Sequence, residues 1–436
     1  MADTTHDRIA AMACPVDHTI LDPAVQTDPW DFYGELHAMC PVFPIPEIGG
    51  VMVTKYDDVK YVLLHPELFA SGGRSGGTRK GLQVDRSKRY QQILREKGWA
   101  HVETLQRTDP PLHSHYRRLV NKAFVPRRIR DMTEHIDEVT DELLTACLAS
   151  SAKAHGGTVD VEFVDRFAMP LPGIIIAEQL GLDRNDIHRF KLWADAMLAL
   201  AMRPVPDDEL VAVAEIELEA QHHLAAIFEN RRTTPQNDLM SSLVHAHEND
   251  DGPDDEPLTM HELQNLMHQL VTGGFETTTN ALNHGMWLLT RYPEVQQRVR
   301  NDLSLLPAFI DEVLRFESPV QGLVRRATED VDLGGVTIPE GALVMVRYGA
   351  ANRDDEFFHD ADTFDIDRPA TAQHLAFGAG PHYCVGVALA RQELTSGFTQ
   401  WLERTGNIEL GFDGVEHEPS FMLLPMAKLH LRVTPA

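Results

Sequence analysis

Four short stretches of this sequence carry residues whose types and spacing could do chemistry. In FGAGPHYCVG (377–386) a single thiol, Cys384, sits among three glycines and a proline, with His382 two residues before it. So tight a backbone path lets another body come close, and backbone N–H groups turned inward stabilise a thiolate. A stabilised thiolate is either a nucleophile, for which His382 would be the base, or a metal ligand. The remaining cysteines, Cys14, Cys40 and Cys147, are far away along the chain. That isolation argues against zinc and iron–sulfur centres, which want several protein ligands.

One thiolate alone suits haem, where the porphyrin supplies four nitrogens and the protein one axial ligand. Haem also carries two propionates, so that reading expects cationic groups elsewhere. DPPLHSHYRRLV places His113 and Arg117 four residues apart on one helix face, VQGLVRRATED offers Arg325, and His382 is a third source. The fourth stretch, TGGFETTT (272–279), lies inside a helical pattern running from a Thr259–Glu262 capping box to Pro293. About thirty residues would span on the order of 45 Å. Two adjacent glycines cost about 1 kcal/mol each inside a helix, so their presence implies either a close helix crossing or a body lodged against Gly273 and Gly274.

The elements that must position these residues are mostly helical. Ile136, Val139, Leu143 and Cys147 recur at helical spacing in MTEHIDEVTDELLTACLAS, which gives Cys147 a packing role. Strand-like segments are VMVTKYDDV near the start, DVDLGGVTIPEGALVMV (330–346), which reads as a hairpin, and AKLHLRV at the end. The acidic stretch HENDDGPDDEP (247–257) fails the spacing of a calcium loop and reads as a solvated linker. A length of 436 residues, 43% of them hydrophobic, allows two or three domains. The net charge of −27 argues against non-specific binding to nucleic acid or anionic lipid. No segment reads as a membrane span or a secretory signal, and the cysteine usage fits a reducing, cytoplasmic setting.

FGAGPHYCVG is similar, position for position, to the F-G-x-G-x-[HR]-x-C-x-G signature of the cytochrome P-450 family of haem-thiolate monooxygenases. In the family's order follow matches to its distal-helix segment (GGFET), its E-x-x-R helix (Glu312 to Arg315), the segment carrying Arg368 (FDIDRP) and, earlier, DPPLHSHYRR. The resemblance implies a mainly α chain with small β sheets: an N-terminal extension (1–30), then one triangular helical domain (31–436) crossed by a long distal helix. It implies haem b with Cys384 as axial iron ligand and Phe377 opening the loop. His113, Arg117, Arg325 and His382 would hold the propionates, and Gly273 and Gly274 would let oxygen and substrate lie against the helix. Glu276 and Thr277 would be the acid–alcohol pair that delivers protons during oxygen activation. Glu312, Arg315 and Arg368 would form a buried ion cluster supporting the loop.

The chain ends about fifty residues after Cys384. Like soluble bacterial members, it would therefore draw electrons, ultimately from NAD(P)H, through a separate ferredoxin and ferredoxin reductase. Arg117, Arg118, Lys122, Arg127, Arg128 and Arg130 offer a basic docking face. By the same resemblance, Gln269, Thr272, Gln321, Leu323 and Phe421 to Leu423 would line a pocket for a hydrophobic small molecule with one polar handle, of terpenoid, steroid, fatty-acid or aromatic-acid type. The segment 71–107, with nine Lys or Arg against three acids, occupies the place of the variable access segment. It reads as a solvated loop, or as a basic entrance for an anionic substrate. Two alternatives stay open: a haem-thiolate enzyme that oxidises or couples without hydroxylating, and a cysteine hydrolase using Cys384 and His382.

Overall fold

A computed structural model describes residues 4–72, 84–149, 157–202, 205–246, 256–369 and 371–436. Residues 73–83, near the start of the basic segment, and most of the acidic stretch (247–255) lie outside the described residues. Helices dominate. Pro126–Ala149 buries Ile136, Val139 and Cys147, none more than 1% exposed, as the helical spacing predicts. It lies along Val387–Arg404, to which it is stitched by Ser396 Oγ to Asp137 Oδ1 (2.5 Å), Gln400 Nε2 to the Asp137 carbonyl (2.8 Å) and Arg404 to Asp141 (2.5 Å). Between them Phe163, Phe167 and Trp401 meet edge to face or stacked, with centroids 5.3 to 5.4 Å apart, in a core that also holds Phe309 and Phe398.

The expected long helix begins at its capping box, with Thr259 and Glu262 exchanging hydrogen bonds. It is not continuous. Met260–Gly274 and Glu276–Arg291 are separate helices joined at Phe275, whose ψ of −72° breaks the hydrogen-bond ladder. Two glycines followed by threonines make this the weakest point of the run, and Phe275, fully buried, pins the break into the core.

The strands form three small sheets. The largest has the order Val42–Ile45, Gly50–Val53, Leu343–Arg347, Gly322–Ala327, Phe69–Ala70; only Gly50–Val53 against Leu343–Arg347 is parallel. The VMVTKYDDV segment is thus half strand: from Tyr56 it turns into the helix Tyr56–Leu64. The 330–346 segment divides as well. Val331–Leu333 and Val336–Ile338 form the hairpin, turning on Gly334 (φ 56°) and Gly335 (φ 81°), while Leu343–Arg347 joins the large sheet. Residues 4–27 pack on that sheet through Ile9, Val16 and Ile20, and Arg8 pairs with Asp330 (2.9 Å), just before the Val331–Leu333 hairpin strand. Among the described residues no helix is long and apolar enough to cross a membrane.

Candidate active site

The loop carrying Cys384 is shaped by its glycines. Gly378 and Gly380 have φ of 71° and 69°, and a Cβ on Gly380 would lie 2.6 Å from the Leu63 carbonyl oxygen. The Cys384 N–H donates to the Phe377 carbonyl (3.0 Å), closing the loop just before Val387–Arg404 begins. The thiol is pushed up by burial, against which the Gly386 N–H and the Arg117 guanidinium act. His382 stacks obliquely on His113, ring centroids 4.2 Å apart.

The four expected cationic residues come together from three segments. Arg117 donates to the carbonyl of Tyr383, the residue before Cys384 (2.6 Å). His113, only 2% exposed, has its imidazole lowered by burial and then by Arg117 and Arg325, with Asp109 opposing; its Nε2 is buried without a hydrogen-bond partner. Arg325 is 5% exposed, and among the described residues neither it nor Arg117 forms an ion pair. Such burial of cations is costly without an anion. Asp109, the first residue of the DPPLHSHYRR stretch, accepts the Ser71 and Gly72 N–H groups (2.9 and 2.7 Å) and fixes the start of the 71–107 segment.

On the broken helix, space above Gly273 is open: an added Cβ would meet nothing within 4 Å, and at Gly274 only Ile176 at 3.8 Å. The close-crossing explanation of this glycine pair is therefore wrong. The real close crossing is at Gly285, where a Cβ would fall 2.3 Å from Phe398 Cζ. Thr277 Oγ1 donates to the Gly273 carbonyl (2.6 Å). The Glu276 carboxyl is raised by burial, lowered by Lys191, and raised again by Asp195 and Glu418. Lys191 itself bonds Asp195 (2.8 Å), and both reach the surface. These three partners were missed; only the i, i+4 spacing of Lys191 and Asp195 hinted at them.

Beneath the loop lies the ion cluster. Arg315 grips Glu312 through Nε and Nη2 (2.8 and 2.7 Å) and gives its other hydrogens to the carbonyls of Asn352, Ala361 and Thr363. Arg368 reaches Glu312 (3.3 Å) and the carbonyls of His359, Asp360 and Thr363. Asn352 completes the support, accepting the Leu375 N–H (2.7 Å) on the way into the cysteine loop.

Two expectations need correction. Gln321 is 1% exposed and consumed by Tyr33 (2.9 Å) and the Ser318 carbonyl (2.8 Å), so it is framework and not lining. Gln269 is bonded to Thr104 Oγ1 (2.8 Å) and the Gln106 N–H (3.0 Å), and Thr272 Oγ1 to the His268 carbonyl (2.7 Å). The hydrogen-bonding groups expected to meet a substrate's polar handle are thus already engaged within the fold. In the basic patch, Lys122 and Arg128 turn inward, to the Ala246 carbonyl (2.8 Å) and to Ser242 and Gln179 (2.6 and 2.9 Å). Arg118, Arg127 and Arg130 stay exposed, and so do the large apolar side chains of Leu112, Val125 and Tyr383.

A thiol in a glycine loop, cations with an orphaned buried imidazole nitrogen, and an open helix face could together hold a dianionic, iron-centred macrocycle. Known proteins agree. The profile of the family described as Cytochrome P450 matches residues 51–405. The sequence is similar to cytochrome P450 107B1 of Saccharopolyspora erythraea, 35% identical over 90% of this chain and 92% of that one. It also resembles 6-deoxyerythronolide B hydroxylase of the same organism, 33% identical over 87% and 89%. Among solved structures, CYP109Q5 from Chondromyces apiculatus superposes with a TM-score of 0.80 at 32% identity, covering 96% of this chain and 98% of that one. CYP109E1 from Bacillus megaterium in complex with corticosterone does so with 0.78 at 29% identity, covering 94% and 99%.

Proposed function

The chain belongs to the cytochrome P450 family, and from that premise we propose a monooxygenase whose haem iron is ligated by Cys384 and whose propionates are held by His113, Arg117, Arg325 and His382. Family membership makes it a haem-thiolate oxidoreductase that uses dioxygen, and the cysteine-hydrolase alternative falls with it. The observation that carries the site assignment is the buried, partnerless Nε2 of His113 set between Arg117 and Arg325. When bound, the haem supplies the iron centre that activates dioxygen for insertion of one oxygen atom into substrate.

The protein's own part is binding and proton supply. Phe377 closes the loop through its carbonyl, Gly386 and Arg117 favour the thiolate, and the open face at Gly273 and Gly274 leaves room on the distal side. Glu276, raised by burial, holds a proton closer to neutral pH than an ordinary carboxylate does. Lys191 and Asp195, paired near the surface, act on it electrostatically, and Thr277, the next residue, passes the proton inward. Thr277→Ala is expected to leave haem binding intact while reducing equivalents are lost as peroxide instead of appearing in product. An unchanged ratio of product to electrons consumed would remove Thr277 from the relay.

The substrate reading follows the same logic. Thr272, Leu323, Phe421 and Met422 are part-exposed, and the amides near them are engaged within the fold. Those features support a bulky, largely apolar molecule, with steroids ahead of terpenoids, fatty acids and aromatic acids, since a structural relative binds corticosterone. A low-spin to high-spin shift with steroids, absent with aromatic acids, is the expected result; the reverse order would overturn it. Electrons come from NAD(P)H through a ferredoxin reductase and a ferredoxin docked on Arg118, Arg127 and Arg130 around Tyr383, in the cytoplasm. The domain is read as one unit over 31–436, with residues 1–30 as an extension.

A further inference from the structure

A second set of ligating groups converges away from the cysteine loop. His101 follows the helix Val84–Lys97, Glu217 belongs to Asp207–Thr233, and His268 to Met260–Gly274. One ligand atom from each lies within 4.8 Å of the other two. His101 Nε2 is 2.6 Å from Glu217 Oε1, and the rings of His101 and His268 have centroids 4.9 Å apart. Glu217 is 1% exposed, and both histidines are half-buried.

The groups around this trio hold it in shape. His268 Nε2 lies 3.1 Å from the Met197 carbonyl; a proton there leaves Nδ1 as the lone pair. The Tyr90 hydroxyl donates to Glu217 Oε2 and the Gln221 amide to Glu217 Oε1 (3.3 Å). Gln221 is itself pinned by both backbone groups of Trp99 (2.9 and 3.0 Å), and its carbonyl accepts Gln264 Nε2 (2.8 Å). Ligating imidazoles are held in this way by carbonyls, and ligating carboxylates by hydrogen-bond donors.

We propose that His101, Glu217 and His268 form a binding site for one divalent transition-metal ion, zinc above all, which fastens the chain after Lys97 to the two helices. Two imidazoles and a carboxylate, with a fourth position left for water, are a zinc donor set. Calcium and magnesium want six or more oxygens or an octahedral shell and are excluded by it. Zinc at about 2.0–2.1 Å from each ligand sets donors about 3.3 Å apart. The trio therefore contracts where it is widest and opens between His101 and Glu217 as the proton they share departs.

The electrostatics are consistent with this. Burial takes His101 down to about 4 and His268 well down, and takes Glu217 up to about 8, each toward its uncharged form. Arg107 is the cation that acts on both imidazoles and opposes the ion, and Tyr90 is the other titratable group in contact. Because His268 adjoins Gln269, which holds Thr104 and the Gln106 N–H, an ion here would also steady the chain that leads into the active site.

The test is zinc titration of the haem-loaded protein against a chromophoric chelator near neutral pH. The expected result is one ion per chain, weaker binding as pH falls because protons compete for the ligand atoms, and no competition from magnesium. Glu217→Gln and His268→Gln should each lose at least about tenfold in affinity while keeping the haem spectrum. Zinc bound equally by both variants would assign it to others among the 22 histidines and overturn the site, as would no binding by the unaltered protein. If a variant does not fold, X-ray absorption at the zinc edge of the unaltered protein decides: two imidazoles and one carboxylate support the site, and any other shell refutes it.

Discussion

Arg315 and Arg325 are both buried guanidiniums ten residues apart in sequence, yet they are built into opposite surroundings. Arg315 is fully enclosed, clamped on Glu312 and on three carbonyls, and Arg368 closes the same carboxylate from the other side. Arg325 meets the Val324 carbonyl at 3.1 Å, and at His113 it acts with Arg117 against a single carboxylate, Asp109, which is itself engaged by the Ser71 and Gly72 N–H groups. The first cluster is complete in itself and can only be a support. The second is cationic, buried and short of an anion, an arrangement that persists when a ligand supplies the missing charge.

This contrast can be broken most directly at Glu312. Glu312→Ala strands two buried cations and is expected to cost about 3–5 kcal/mol, read as loss of folded, haem-loaded protein or a steep fall in the unfolding midpoint. Near-normal stability would mean that the cluster is not a support. Arg325→Ala should act otherwise, because a charge-assisted hydrogen bond to a propionate contributes about 1.5–3 kcal/mol only when haem is present. Haem should pass to a scavenger protein roughly ten- to a hundredfold faster, with the apoprotein no less stable. Destabilisation of the apoprotein as severe as that of Glu312→Ala would erase the distinction. The two glycine positions sharpen it further. Gly285→Ala drives a methyl into Phe398 and should cost about 1–3 kcal/mol. Gly273→Ala meets open space and should gain up to about 1 kcal/mol of helix stability while impairing substrate binding. Equal destabilisation at both positions would contradict the open distal face.

Much of this was legible in the sequence because it rests on local rules. The capping box at Thr259, the buried face of Ile136, Val139 and Cys147, and the glycines forced by the cysteine loop are all consequences of residues a few positions apart. The family resemblance supplied the long-range pairings that local rules cannot, such as Glu312 with Arg368 and His113 with Arg325. What stayed hidden depends on three-dimensional proximity without a sequence mark. Gln321 looked available for substrate but is taken up by Tyr33, and Glu276 acquired Lys191, Asp195 and Glu418 from distant elements. The break at Phe275 could be suspected from its glycines, but its position was set by burial of the phenyl ring.

The central claim is that the sulfur of Cys384 binds the haem iron. Reduced protein exposed to carbon monoxide should show the long-wavelength Soret band for which the family is named, and haem-loaded Cys384→Ser should lose it. A band at that wavelength surviving in the serine variant, or absent from intact haem-loaded protein, would contradict the account.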